Sequence, residues 1–246
     1  MRNRPSASRG DSPGPIACGA CELNEVCRLC GLIAREGGLA GRATGTLRAL
    51  QPGEPLFRSS DPAAGLFAVR EGLLKRVHVS AEGDETPLGL ATPGEVLGLE
   101  CFSSGTHASD AIAVRPSVCC ELPLPMLEQQ GRRVHELAAA LITLLSRAHA
   151  PAPEQARGSI RSRITRFLLD MSLRLQRRGL DGRRFSLGLS RQEIADLLDT
   201  RIETVSRMLQ QLHREGEIHL RGSQVTLLGL GEALERTTSE PGPTPH

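Results

Sequence analysis

Between Ser190 and Leu212 the chain reads SRQEIADLLDTRIETVSRMLQQL, and no other stretch restricts the fold so tightly. Ser190 followed three residues later by Glu193 is a capping-box start, and Ile194, Leu197 and Leu198 recur at the spacing of one buried helical face. In a second helix Val205, Met208, Leu209 and Leu212 fall at i, i+3, i+4 and i+7, while Glu203, Ser206, Arg207 and Gln210 repeat that spacing two positions earlier. Two short helices joined by a tight turn make a helix-turn-helix. One face packs and the other is free to read a major groove, where Arg grips guanine O6 and N7 and Glu accepts from cytosine N4. A merely solvated polar face, with Glu203 completing a capping box on Thr200, is the competing reading. The following residues weigh against it: Ile218 to Leu227, IHLRGSQVTL, reads as two strands about a Gly222-Ser223 turn, which turns the motif into a winged helix. Residues 157–236 hold 15 Arg against 10 Asp and Glu, whereas the whole chain is only +2, so phosphates are attracted to this end.

A chain of 246 residues with 39% hydrophobic content can bury two moderate cores. No apolar run is long enough to span a bilayer, and no apolar signal-peptide core follows the N-terminal arginines, so no membrane partner and a cytoplasmic location are expected. Seven cysteines, an odd number crowded at short spacing without a secretion signal, argue for metal ligands over disulfides. Four of them, Cys18, Cys21, Cys27 and Cys30, fall within thirteen residues. Thiolates this close can converge on one soft metal centre, an iron-sulfur cluster or a structural zinc ion. Inert thiols are the bland alternative.

The rest of the chain divides by pattern. Residues 1–17, rich in Arg, Ser, Pro and Gly, are expected to be disordered, and the cysteine-rich segment occupies 18–42. From 43 to 125 short apolar runs, at Leu56-Phe57, Leu66 to Val69, Leu73 to Val79, Pro87 to Ala91 and Ala111 to Val114, are separated by turns at Pro52-Gly53, Glu71-Gly72, Glu82-Gly83-Asp84 and Pro93-Gly94. Many short strands at such spacing predict an antiparallel β-roll of the jelly-roll kind. Helical periodicity returns over 126–156: Val134, Leu137, Ala138, Leu141, Leu144, Leu145 and Ala148 form an apolar stripe that packs on the barrel or meets its own copy across a two-fold axis, with Pro151 and Pro153 ending the helix. A further helix from Ser159, carrying Ile160, Ile164, Phe167, Leu168, Met171 and Leu175, leads through a short strand near Phe185 to the helix-turn-helix. The winged-helix unit spans 157–236, with a last short helix after Gly231 and a disordered tail at 237–246. The fold class expected is therefore α+β. No nucleophile-base pair or carboxylate constellation stands out, so an enzyme is not expected.

A glycine-cornered barrel, a long apolar-striped helix and a winged helix with Glu203-Thr-Val-Ser-Arg207 on its second helix resemble, over nearly the whole chain, the CRP/FNR family of transcription regulators. The resemblance implies that the barrel senses a signal, that the long helix makes a homodimer through Leu137, Leu141, Leu144 and Leu145, and that Glu203, Ser206 and Arg207 contact the bases of a two-fold-symmetric DNA site while the protein contacts RNA polymerase. The C-x2-C-x5-C spacing of Cys18, Cys21 and Cys27, with Val118-Cys119-Cys120-Glu121-Leu122-Pro123 later, is similar to the oxygen-sensing FNR branch. That implies a [4Fe-4S] cluster on Cys18, Cys21, Cys27 and Cys120, the cysteine before the acidic-aliphatic-proline run. Four ligands all between Cys18 and Cys30 would have little hold on the barrel, which also favours Cys120, but Cys30 stays open as the alternative ligand and zinc as the alternative metal. Gly94-Glu95 matches the family's G-E motif, yet Phe102 to Ala111 contains no arginine for a cyclic phosphate, so no cyclic nucleotide is expected. At the turn of the helix-turn-helix Asp199 stands where the family prefers glycine, and Asp tolerates the left-handed backbone better than most residues.

Overall fold

The structure, a computed structural model, describes residues 16–30, 46–80, 82–102, 104–128, 138, 140–142 and 159–229. Eight strands, β1 (Thr46–Leu50), β2 (Pro55–Phe57), β3 (Gly65–Glu71), β4 (Leu74–Val79), β5 (Glu85–Ala91), β6 (Val96–Leu97), β7 (Asp110–Ala113) and β8 (Ser117–Pro123), form two antiparallel four-stranded sheets. Their orders are β1-β8-β3-β6 and β2-β7-β4-β5. This is the expected antiparallel roll. Strand periodicity sorts its side chains: Phe67 and Val69 of β3 join Leu50, Leu56, Phe57, Leu74, Leu97 and Ala111 between the sheets, while Leu66 and Ala68 point to the opposite face of the same strand. The five apolar runs expected as strands lie on β2, β3, β4, β5 and β7. Strands β1, β6 and β8 match none of these runs; β1 is exposed at four of its five residues and β6 is only two residues long.

The outer face around Leu66, Ala68 and Leu122 is covered by the cysteine segment and by α2 (Leu124–Glu128). A 3-10 turn at Cys18–Ala20 leads into α1 (Asn24–Leu29), whose Val26 and the preceding Leu23 are both buried on that face. Residues 138 and 140–142 are helical, and Ala140 and Leu141 pack at the edge of the same cluster while Ile142 is exposed. At Leu141, then, the apolar stripe touches the barrel; Leu137, Leu144 and Leu145, like Pro151 and Pro153, the helix after Gly231 and the tail, lie outside the described residues. So do residues 1–15 of the N-terminus expected to be disordered, whereas Ile16 is buried and donates its N–H to the Arg70 carbonyl at 3.0 Å.

The C-terminal unit has its own core. Helix α3 (Ile160–Gln176), capped by Ser159, buries Ile164, Phe167, Leu168, Met171 and Leu175 against Ile194 of α4 (Arg191–Leu197) and Val205, Leu209 and Leu212 of α5 (Ile202–Arg214). Strands β9 (Arg184–Ser186), β10 (Ile218–Arg221) and β11 (Gln224–Leu227) pair in the order β10-β11-β9 and close the core with Phe185, Ile218, Val225 and Leu227. Two barrel residues, Leu73 and Leu90, are part of this same cluster. The winged unit is therefore seated on the barrel.

Candidate metal centre and nucleic-acid interface

The local backbone gathers the N-terminal thiols before any metal is considered. The Cys21 N–H donates to the Cys18 carbonyl at 3.2 Å, the Asn24 N–H to the Cys21 carbonyl at 3.1 Å, and Asn24 Nδ2 returns to the Cys18 carbonyl at 2.9 Å. Because Leu23 and Val26 anchor this loop and helix to the outer face of β3 and β8, the thiols are delivered to that face. Strand β8 answers with alternation. Cys119 points between the sheets, fully buried among Leu50, Phe67 and Val69, whereas Cys120 points outward to the cluster that holds Cys21, Cys27 and Cys30.

Electrostatics identifies the neighbours. Burial, followed by the charges of Cys21, Cys30, Cys120 and Cys18, pushes the Cys27 thiol up to about 12. Burial is also the main cause at Cys21, raised to about 11, with Cys120 and Cys18 adding to it and Arg178 opposing. Cys120 is raised by burial and by Cys18 and lowered by Arg70, while Cys30 is raised by burial alone and lies 4.0 Å from the Met126 carbonyl. Cys27 thus lies within reach of Cys21, Cys30, Cys120 and Cys18, and Cys30 belongs to the same group of thiols on the outer face of the barrel. Burial, followed by the charge of Cys120, pushes the Cys119 thiol up to about 12, with Arg48 opposing. Among the described residues no three His, Cys, Asp or Glu side chains converge at the spacing of a single metal ion. The donor set, five soft thiols with Arg178 beside Cys21 and Arg70 beside Cys120, fits a soft metal centre, an iron-sulfur cluster or a zinc ion.

At the other end, Ser190 and Glu193 form the full capping box: the Glu193 N–H donates to Ser190 Oγ and the Ser190 N–H to Glu193 Oε2. The Asp199 backbone adopts φ 46, the left-handed geometry the turn requires, and Arg163 of α3 reaches across to donate to the Leu198 carbonyl at 2.7 Å. Arg201, not Thr200, is the N-cap of α5, and no side chain caps it. Glu203 has no capping role there. Along α5, Val205, Leu209 and Leu212 are buried, Glu203, Arg207 and Gln210 are exposed, and Ser206 is half-buried beside them. The wing is tied in by Arg191, whose guanidinium donates to the Gly222 carbonyl at 3.3 Å.

Sequence reasoning missed a set of ion pairs between barrel and winged unit. Lys75 of β4 meets Glu193, the capping-box carboxylate itself, at 2.5 Å. Burial would raise the Glu193 carboxyl, but hydrogen bonds from Lys75 and Ser190 outweigh it and hold it below the usual range. Arg174 donates from Nε to Glu95 Oε1 at 2.6 Å and also reaches the Leu90 carbonyl, while the Thr92 N–H occupies Glu95 Oε2 at 2.8 Å. The carboxylate of the Gly94-Glu95 pair is therefore already engaged within the chain. In the neighbouring stretch His107 stacks on Phe57 with ring centroids 3.6 Å apart and lies 2.9 Å from Glu100. Partners such as Arg174 and Glu95 are 79 residues apart, and no local pattern announces them.

Residues 47–133 match the cyclic nucleotide-binding domain family and residues 162–236 the Crp-like helix-turn-helix domain family. The chain is 30% identical over 215 residues to the transcriptional activator protein anr of Pseudomonas aeruginosa, covering 86% of this chain and 88% of that protein. It is 26% identical over 240 residues to the fumarate and nitrate reduction regulatory protein of Vibrio cholerae, covering 96% of each. Among solved structures, FixK2 from Bradyrhizobium japonicum superposes with a TM-score of 0.65 at 25% identity, over 78% of this chain and 96% of that one. A roll, a helical connection and a winged helix-turn-helix in this order, with those matches along them, make the chain a DNA-binding transcription regulator and not an enzyme: it belongs to the CRP/FNR family, in its FNR-type branch.

Proposed function

We propose that this protein is an oxygen-responsive transcription regulator in which Cys18, Cys21, Cys27 and Cys120 hold a [4Fe-4S] cluster when oxygen is scarce. The observation that carries the reading is the alternation of β8, which turns Cys120, and not Cys119, toward the N-terminal thiols. When bound, the cluster supplies an oxygen-labile cross-link between the cysteine segment and the barrel. The residues of the chain do the rest. Leu23 and Val26 hold α1 to the barrel by a small apolar contact, and the thiol ligands add a second hold on the same segment. Leu141 leaves the edge of that same cluster for the helical stripe, so the segment and the stripe containing Leu137, Leu141, Leu144 and Leu145 respond together. The stripe makes the homodimer, and the dimer presents Glu203, Ser206 and Arg207 to the half-sites of a two-fold-symmetric DNA while contacting RNA polymerase in the cytoplasm. A relative named as a fumarate and nitrate reduction regulatory protein supports this reading.

The test is purification without air, followed by visible absorption, iron and sulfide analysis and DNA titration before and after exposure to air. The chain has no Trp and no Tyr, so protein concentration is taken from amino-acid analysis. The expected result is a brown, sulfide-containing protein that loses both colour and DNA affinity in air. A colourless, zinc-loaded protein with air-insensitive DNA binding replaces this reading with a structural site on Cys18, Cys21, Cys27 and Cys30.

A further inference from the structure

The backbone on either side of Cys21 is gripped from the DNA-binding unit. Arg178, two residues beyond the end of α3, donates to the Ala20 carbonyl at 3.2 Å and forms an ion pair with Glu22. Both side chains of that pair are about four-fifths buried, at 18% and 20% exposure, so the contact is shielded from solvent. The same place is a junction of three parts of the chain. The Glu22 N–H donates to the Gly94 carbonyl at 2.9 Å, and the next residue, Glu95, is held by Arg174, one turn of α3 before Arg178. Gly94 has φ +94, and a Cβ there would stand 2.7 Å from Arg178 Cδ, so the glycine also clears the path of the arginine.

From this junction α3 runs as one rigid element into the recognition machinery. Arg163, fifteen residues or about 22 Å of helix from Arg178, holds the turn before α5 through the Leu198 carbonyl. Between the two arginines Phe167, Leu168, Met171 and Leu175 lie in one core with Val205, Leu209 and Leu212. A displacement of residues 20–22 is thereby a displacement of the carboxylate and carbonyl that hold one end of α3.

We propose that Arg178 is the positioning residue through which the state of the cysteine segment reaches the recognition helix of the same chain, by a route separate from dimerisation. The proposal rests on the cluster reading above. While the thiols are ligated, residues 20–22 stay fixed, Arg178 keeps both partners, and α3 is held to the barrel in the posture competent for DNA. When the ligands are released, Arg178 loses its partners and α3 loosens at its C-terminal end.

The test compares wild type, Arg178→Ala, Arg178→Lys, Glu22→Gln and the Arg178→Ala/Glu22→Gln double variant, purified without air and matched for iron content. Each is titrated with DNA before and after air, sedimentation is measured at the same concentrations, and hydrogen exchange is followed at residues 170–178. The ratio of the two dissociation constants is expected to fall about fivefold or more in Arg178→Ala, a coupling loss at the low end of the usual allosteric range. Arg178→Lys recovers part of it, Glu22→Gln acts in the same direction, and the double variant does no more than Arg178→Ala alone. Exchange at residues 170–178 speeds up on exposure to air in wild type and is already fast beforehand in Arg178→Ala. A wild-type ratio and wild-type exchange in Arg178→Ala overturn the proposal and leave the cluster reading standing, as does a loss of ratio that merely follows a loss of dimer. Wild-type protein without iron and sulfide overturns both.

Discussion

The winged unit and the cysteine segment both carry candidate functional residues, but they are held in place very differently. Residues 159–229 enclose a core drawn from three helices and three strands, with a complete capping box, a left-handed Asp199 and an arginine clamp on the turn. Residues 16–30 have one six-residue helix and bury little beyond Ile16, Leu23 and Val26, all against surfaces that belong to other parts of the chain. On the proposed function, the surface that reads DNA is built in advance and the cysteine segment is the conditional part. That division suits a switch, since a low-stability element can be ordered or released by a ligand while the element it controls keeps its shape.

The strongest attack on this comparison is to excavate both sides. Leu209→Ala removes a fully buried side chain from the winged core and is expected to cost about 2–5 kcal/mol, whereas Val26→Ala costs about 1 kcal/mol and leaves the barrel and winged unit folded. Calorimetry reads both, and a larger loss from Val26→Ala would reverse the comparison. Next in size is the stripe. Leu141→Glu puts a charge where a self-contact would bury it, so it is expected to give a monomer with weak DNA binding. An unchanged dimer in sedimentation assigns Leu141 to the barrel contact alone.

A smaller effect is expected at the reading face. Arg207→Ala should cost about 1–3 kcal/mol of DNA binding and relax preference at one base pair in each half-site, measured on a series of symmetric sites. An unchanged base preference would leave Arg207 a solvated side chain. The smallest effect is the acid dependence of Lys75 and Glu193. A carboxyl held below its ordinary 4.5 stabilises the seated winged unit above that pH, and the contribution is lost as pH falls through the lowered value. Glu193→Gln should flatten the unfolding temperature against pH just below 4.5, and an unchanged slope would show that the pair contributes nothing.

How much was legible in the sequence follows the same division. The capping box at Ser190 and Glu193, the stripe of Val205, Leu209 and Leu212 and the turn at Gly222 are short-range signals, and each lies in the structure where its spacing put it. Strands β2 to β5 were marked by apolar runs between glycine corners. Strand β1 was not, because its pairing with β8 is specified by a partner some seventy residues away and its own side chains are mostly exposed. At the cysteines, the crowding of Cys18 to Cys30 was plain, but which of Cys119 and Cys120 faces them is a question of strand phase. In the run Val118 to Pro123 the charged Glu121 shares the face of Cys119, so period-two reasoning alone would have turned Cys119 toward solvent, and the facing sheet decides otherwise. The ties of Arg174, Arg178 and Lys75 were invisible for the reason that makes them informative: they join segments far apart in the chain.

The central claim, that the sensing segment is completed by a ligand from the barrel, is tested most directly by iron and sulfide content in Cys120→Ser, Cys119→Ser and Cys30→Ser, each reconstituted without oxygen. The expected result is loss of the cluster in Cys120→Ser alone, with Cys119→Ser and Cys30→Ser retaining it. A full, stable cluster in Cys120→Ser together with its loss in Cys30→Ser would contradict the account, because the four ligands would then close a local loop with no hold on β8.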